Sequence, residues 1–367
     1  MAQAKRGRPN RRIRLEEVAK RCGVSVSTAS RALAGAVGVR DQLRAEIIEA
    51  ARALHYAIPA SMADRKVILA ASSVAMIDHS RNQFTFHVLD GLKERAQALG
   101  VELVTRPVAT PEDEVALLRE AGEDATVAGC LFLTLDDDDV LTLAEGFAKP
   151  IVLVNGDDPT MRHSSVTPCN RSAAQFAAQH LLSLGHRRIL FLMRRGRRTI
   201  ERRFEGWRDA LVAKGVTELD DLVIEVPDWL PELAEEAIAT RIRERGLDFT
   251  AVLTAGDSLA YGAIRGVERA GFSVPADVSV VGMDDLPLSA FCSPPLTTMH
   301  IPMREIGAAA LSLLLDDLSL ATLPARRIEL ACNLVLRHST APVGAAPPQR
   351  RSPTPSGVAG VDAGTRP

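Results

Sequence analysis

The sequence predicts an α/β protein in which a small all-α head is joined to a larger, two-lobed, doubly wound core. Three observations carry that expectation. Residues 14–56 hold three short helical patterns and no alternating strand pattern. From Val67 onward, short apolar runs alternate with amphipathic helical patterns, as in parallel sheets covered by helices on both faces. The charge divides the same way: residues 1–66 carry fourteen Lys/Arg against six Asp/Glu, so a chain of net charge −2 holds a +8 head on a −10 body. A basic head on an acidic body suits a module that meets a polyanion such as nucleic acid; a solvated basic tail is the plainer alternative.

Each element follows from local chemistry. Residues 1–12 are polar, basic and aperiodic, and are expected to be a disordered arm. The head is placed at 13–57. In its first helix Leu15, Val18, Ala19 and Cys22 share a face, with Glu16 and Glu17 in the dipole-favoured first turn. Gly23 interrupts the pattern. Ser25 can cap a second helix that buries Ala29 and Leu33 and stops near Gly35. The third helix sets Leu43, Ile47, Ala51 and Leu54 at helical spacing, and a hinge follows at 58–66. In the core, strands are expected at Val67–Ala71, Val101–Arg106, Gly129–Leu133, Ile151–Val154, Ile189–Met193, Ala251–Thr254 and Val278–Gly282. Helices are expected between them, among others at Phe84–Leu99, Ala173–Leu184, Phe204–Ala213, Pro231–Arg245 and Ser258–Ala270. Some 270 residues are too many for one sheet layer, hence two lobes. Residues 341–367, rich in Pro, Gly, Ser and Ala, read as a disordered tail.

Bulk properties exclude several classes. No apolar run reaches the roughly 18 residues needed to span a bilayer, and charges occupy the place of a leader's apolar stretch, so a cytoplasmic chain without membrane contact is expected. Five cysteines (Cys22, Cys130, Cys169, Cys292 and Cys332) stand singly, with no C-x-x-C pair, and read as reduced thiols. There is no G-x-S-x-G elbow, H-E-x-x-H, phosphate loop or Cys/His dyad, so neither catalysis nor a cofactor is expected. The run Asp136–Asp139 could suggest a metal but better starts a helix, so no metal is expected either.

The stretch Leu15–Gly35, LEEVAKRCGVSVSTASRALAG, has the small residue, tight turn and polar-faced second helix of a helix-turn-helix. It resembles the N-terminal signature of the LacI/GalR regulators, V-A-x-x-A-G-V-S-x-x-T-V-S-R-V-L-N, departing mainly at Cys22, Ala29 and Ala34. The resemblance implies that Val26, Ser27 and Arg31 face base edges in the major groove. It also implies that Ser25, Thr28 and Ser30 contact phosphate or cap the helix. Arg pairs bidentately with guanine, which suits Arg31; the alternatives are a phosphate contact for Arg31 and internal packing for Val26. Arg14 stands where the family prefers a capping Thr, a loss of roughly 1 kcal/mol. Lys5–Pro9 resembles a minor-groove hook, or serves only non-specific phosphate binding. In the hinge, Pro59 and Ala63 align with the family's DNA-contacting segment while Lys66 takes the place of its wedge Leu. Either the kink is absent or Met62 supplies the wedge, so that the operator is bent less than is usual for the family, or the alignment slips across a variable linker.

The resemblance extends through 67–340. Leu184-Gly185-His186-Arg187-Arg188-Ile189, Arg203-Phe204-Glu205-Gly206-Trp207, Pro275–Asp285 and Pro294-Pro295-Leu296-Thr297-Thr298 all match family motifs. It implies a periplasmic-binding-protein-like core for effector binding and dimerisation, with lobe one at about 67–167 and 297–322 and lobe two at about 168–296 and 323–340. Effector contacts carried over are Phe84, Phe86, Asn155, Arg203, Trp229, Asp257 and Asp284. The Phe residues are equally readable as core, and Gly256 replaces the Asn that the family sets before Asp257. Between Arg194 and Arg203 the chain holds six Arg against one Glu, which suggests a sugar acid or sugar phosphate unless the protein's own acids compensate. The function implied is a homodimeric regulator, a repressor of transcription, on an inverted-repeat operator, responsive to a sugar or sugar derivative. A solute-binding protein of a transport system is the alternative that shares the core.

Overall fold

In the computed structural model, residues 15–33, 39–54, 65–73, 83–135, 138–319 and 324–344 are described. The arm at 1–12, Arg14, the helix end at Ala34 and Gly35, the hinge residues Pro59, Met62 and Ala63, Asp136 and Asp137, and the tail beyond 344 lie outside the described residues.

The head is three helices, α1 (Leu15–Arg21), α2 (Val26–Leu33) and α3 (Asp41–Ala53). Their small core holds Val18, Ala19, Ala29, Ala32, Leu33, Ile47, Ala50 and Ala51, with Leu15, Cys22, Val24, Val39, Leu43 and Leu54 packed around it. Between α1 and α2 the chain turns at Gly23, whose φ of 64° is left-handed and suits a residue without Cβ.

The rest of the chain continues as β1 (Lys66–Ser72), α4 (Gln83–Leu99), β2 (Glu102–Val108), α5 (Pro111–Glu123), β3 (Val127–Leu133), α6 (Asp138–Ala144), β4 (Ile151–Val154) and β5 (Ser164–Pro168). There follow α7 (Asn170–Ser183), β6 (Ile189–Met193), α8 (Arg198–Val212), β7 (Val223–Glu225), α9 (Pro231–Arg245), β8 (Ala251–Thr254), α10 (Asp257–Arg269), β9 (Ser279–Asp284) and β10 (Thr297–His300). The chain closes with α11 (Met303–Ser319), β11 (Arg327–Leu330) and β12 (Asn333–Val335).

Contacts divide the chain into two compact units: 1–168, 197–199 and 302–330, and 169–196, 200–301 and 331–367. The first unit's sheet runs β2-β1-β3-β4-β5-β11, all parallel. The second unit's sheet runs β7-β6-β8-β9-β10-β12, parallel except for the β10–β12 pair. Both orders are the doubly wound pattern with one switch point, beyond whose carboxyl ends ligands bind in folds of this kind. Strands β3, β4, β6 and β8 are buried along their whole length, which is why their sequences are continuous apolar runs rather than alternating ones.

Four expectations are corrected. β10 stays in the second sheet and β11 joins the first, so the boundaries fall at 301/302 and 330/331 rather than at 296/297 and 322/323. Pairing partners decide the sheet of such four-residue strands, and nothing adjacent in sequence encodes them. Lys66 belongs to β1, not to a hinge wedge: its N–H donates to the Thr126 carbonyl (2.9 Å) and its Nζ lies 2.6 Å from the Asp124 carboxylate. Residues 341–344 are part of the second unit, with Ala341 N–H on Ser279 Oγ (3.0 Å) and Val343 N–H on the Leu184 carbonyl (3.0 Å). The helix expected at Phe204–Ala213 begins earlier, since α8 starts at Arg198 and carries Arg202 and Arg203 in its first turns.

Helices α4 and α11 cross at glycines. A Cβ on Gly91 would fall 1.9 Å from the Arg304 carbonyl oxygen, and one on Gly307 would fall 2.2 Å from that of Val88. Neither backbone can yield alone. In α5, by contrast, a Cβ on Gly122 meets only the Phe147 ring, at 3.7 Å. Gly91→Ala is therefore expected to destabilise by about 1–3 kcal/mol through overpacking, whereas Gly122→Ala gains up to about 1 kcal/mol of helix propensity. Urea unfolding of both variants checks the opposite signs; equal effects would discard the close-crossing argument.

Candidate functional site

The head presents one polar face. Ser25 caps α2, its Oγ accepting the Thr28 N–H at 3.0 Å and lying 2.8 Å from Thr28 Oγ1. Ala29, Ala32 and Leu33 turn inward. Ser27, Ser30 and Arg31 are exposed, and so is Val26, a β-branched apolar residue left 42% accessible at the helix start. Val26 thus does not pack internally, and Thr28 is half-buried, held by its capping partner.

In the second unit, Arg203 is buried where three elements converge. Its Nε donates to Asn170 Oδ1 at the start of α7 (2.8 Å). Its Nη1 donates to the Ala255 carbonyl just past β8 (2.6 Å) and lies 3.4 Å from Asp284 Oδ1 at the end of β9. Asp284 and Asp285 have φ of 131° and 60°, a strained backbone at the carboxyl edge of the sheet. Burial pushes the Asp284 carboxyl up to about 7; the Arg203 guanidinium opposes that rise and nearby Asp257 adds to it. Beside this pair lies Gly256. A Cβ there would come within 3.3 Å of both Asp284 Oδ2 and Trp229 Cζ3, so the half-buried Trp229 ring and the carboxylate occupy the space of an Asn side chain.

Asp257 is placed differently from its expected role as an effector contact. It is wholly buried, Oδ2 accepting from Leu286 N–H (2.9 Å) and Ser289 Oγ (2.5 Å) and Oδ1 from Thr298 Oγ1 (2.6 Å). With both oxygens engaged, it ties α10 to the segment after β9 and to β10. The motif located the residue, but only the fold shows that protein donors surround it.

In the first unit, Asn155 follows β4 with φ of 52°, a conformation Asn tolerates, and is buried with no hydrogen-bond partner for Oδ1. Its carbonyl accepts from Arg197 Nη2 (2.5 Å). Thr199 is also buried without a partner for Oγ1, and Asp157 is held between Arg327 (2.5 Å) and Arg198 (3.8 Å). Phe84 and Phe86 are half-buried in the first turn of α4. Sequence reading did not single out Asn170, Asp157 and Thr199; only Asp157, just past the apolar run Ile151–Val154, carried a local signal.

Four of the six arginines in the stretch meet carboxylates of the protein. Arg195 meets Glu225 (2.5 Å) and Glu201 (3.2 Å), Arg198 meets Asp157, Arg202 meets Glu205 (3.0 Å), and Arg203 meets Asp284. The electrostatic argument for a sugar acid or sugar phosphate is weakened to that extent. Among the described residues there is no group of three or more metal-ligating side chains, and no helix long and apolar enough to cross a membrane.

Comparison with known proteins adds three findings. Residues 14–58 match bacterial regulatory proteins of the lacI family, and residues 178–340 match a periplasmic binding protein-like domain. The chain is 32% identical over 351 residues to the HTH-type transcriptional regulator reg1 of Streptomyces lividans, covering 93% of this chain and 99% of that one. The HTH-type transcriptional regulator MalR of Streptomyces coelicolor matches with the same identity and coverage. Among solved structures, a transcriptional regulator CelR–cellobiose complex has a TM-score of 0.68 at 27% identity, covering 90% of this chain and 100% of that one. The lac repressor dimer bound to operator and an anti-inducer has a TM-score of 0.67 at 27% identity, covering 90% and 99%.

A pH effect follows from Asp284. Between the ordinary aspartate value of 3.8 and about 7, the folded chain holds a proton there that the unfolded chain has lost. That group's contribution to stability therefore rises as pH falls through this window and is lost as pH climbs through about 7. Asp284→Asn should flatten the pH dependence of the urea midpoint across the window. An unchanged slope would show that Asp284 titrates normally.

Proposed function

The chain belongs to the lacI family of bacterial regulatory proteins, DNA-binding regulators of transcription, and on that premise we propose that it is a homodimeric repressor controlled by a neutral saccharide. The observation that carries the DNA side is the capped helix α2, which shows solvent a face of Val26, Ser27, Ser30 and Arg31 over a closed apolar core. One such helix contacts too few bases for gene-level specificity, so two heads on an inverted repeat are required. Val26 and Ser27 read weak edge contacts, Arg31 a guanine, and Ser25, Thr28 and Ser30 the backbone. Pro59, Met62 and Ala63 complete the proposed DNA contact. A short 3-10 turn at Pro287–Ala290 exposes Leu288 (50%) and, just after it, Phe291 (84%), apolar surface suited to a second copy of the chain.

The effector side rests on Arg203, Asp284 and Trp229. A guanidinium, a carboxyl and an indole face form donor, acceptor and stacking surface for a hydroxyl-rich ring. Because four of the six arginines already face the protein's acids, an uncharged ligand fits better than an anion, and a solved relative is a cellobiose complex. Asn155, with its open Oδ1, and the half-buried Phe84 and Phe86 are the first unit's proposed contacts. The chain acts on chromosomal DNA in the cytoplasm.

Two measurements test this reading. In anisotropy titrations with its own upstream DNA, Arg31→Ala should cost about 1–3 kcal/mol and relax preference at one symmetric position. An equal loss on every duplex would remove its base-reading role. Thermal-shift screening with cellobiose, glucose, gluconate and glucose 6-phosphate reads the effector, since a ligand at a hundred times its Kd stabilises by about 2.7 kcal/mol. A shift with a neutral sugar, lost in Arg203→Ala, supports the reading; a shift with the anions alone overturns it.

A further inference from the structure

We propose that Cys169 and Cys332 form a reversible intramolecular disulfide, an oxidation site at the junction where two neighbouring segments enter the second unit. The chain passes from the first unit to the second at 168/169 and again at 330/331. Those two passages run side by side, because β5 and β11 pair in parallel with Leu330 opposite Pro168. Adjacent strands lie roughly 4.8 Å apart, within the span of about 4.4–6.8 Å between Cα atoms that a disulfide bridges. Cys169 is the first residue beyond β5, Cys332 the second beyond β11, both present as thiols, and their side chains share a hydrogen bond.

The two sulfurs are not equivalent. Cys332 is buried, and its thiol is pushed up first by the hydrogen bond to Cys169 and then by burial, so it retains its proton. Cys169 is only half-buried and stands directly before the amino terminus of α7, a fourteen-residue helix whose dipole favours a thiolate. Oxidation by hydrogen peroxide then follows one course. The Cys169 thiolate attacks one peroxide oxygen, an S–O bond forms as the O–O bond breaks, and the hydroxide that leaves takes a proton from solvent to become water, giving a sulfenic acid. The Cys332 sulfur attacks that sulfur, its proton leaves with the hydroxyl as a second water, and the S–S bond closes. Two electrons leave the thiol pair and reduce the peroxide. The crosslink fixes the start of α7, where Asn170 holds Arg203.

The test treats the full chain with hydrogen peroxide, alkylates the remaining thiols and maps peptides by mass spectrometry. A linked pair containing Cys169 and Cys332, lighter by two hydrogens and reversed by dithiothreitol, is expected, with Cys22, Cys130 and Cys292 still alkylated. Closing so long a loop should also raise the urea midpoint of the oxidised protein. In Cys332→Ser the reaction should stop at a Cys169 sulfenic acid that dimedone captures. Cys169 over-oxidised beside an alkylated Cys332 in the wild-type chain would overturn the proposal, as would crosslinks formed only between chains.

Discussion

A buried guanidinium organises the second unit. Removing a charge from water costs several kcal/mol unless it is paired and hydrogen-bonded, and Arg203 offsets that cost through Nε on Asn170 and Nη1 on the Ala255 carbonyl and Asp284. These three acceptors come from the start of α7, the end of β8 and the end of β9. One side chain therefore sets the relative position of three segments at the carboxyl edge of the sheet. The last of these acceptors, Asp284, sits on backbone with φ of 131°, a conformation that most residues avoid.

Asp257 provides a second anchor beneath that edge. Its oxygens collect Ser289, Thr298 and the Leu286 N–H, and Ser289 Oγ in turn lies 2.8 Å from Tyr261 Oη. A buried carboxylate saturated in this way serves rigidity, while the neighbouring Asp284 has fewer protein donors, although burial raises both carboxyls. Two aspartates in adjacent motifs thus take different tasks because their surroundings differ. Gly256 sits between them, and its lack of a side chain lets Trp229 and Asp284 approach each other.

The head follows another economy. Its core is small and rich in alanine, which lets three short helices pack closely while the outer side of α2 carries little but short polar chains and one arginine. Short side chains keep the helix close to whatever it docks against. The Ser25 cap satisfies an N–H at the helix start, where contacts are needed and fraying would be most harmful.

The sequence by itself determined the element types, the helix-turn-helix and the identity of most residues at the sheet edge, because hydrophobic periodicity, caps and dense motifs are local properties. β4, β6 and β8, as well as α9, have the bounds the apolar runs and helix signals imply. Long-range pairing was not legible. Nothing near Thr297 or Arg327 in the chain states which sheet it joins, and nothing near Ala341 shows that Ser279 is its partner. The same limit governed the charges: in a stretch of six arginines, Arg195, Arg198 and Arg203 meet Glu225, Asp157 and Asp284, acids distant in the chain, only in the fold. Countercharge and saturation of buried groups are decided by contacts between residues far apart in the chain, so only the tertiary structure could surround Asp257 with protein donors and set Asp284 against Arg203.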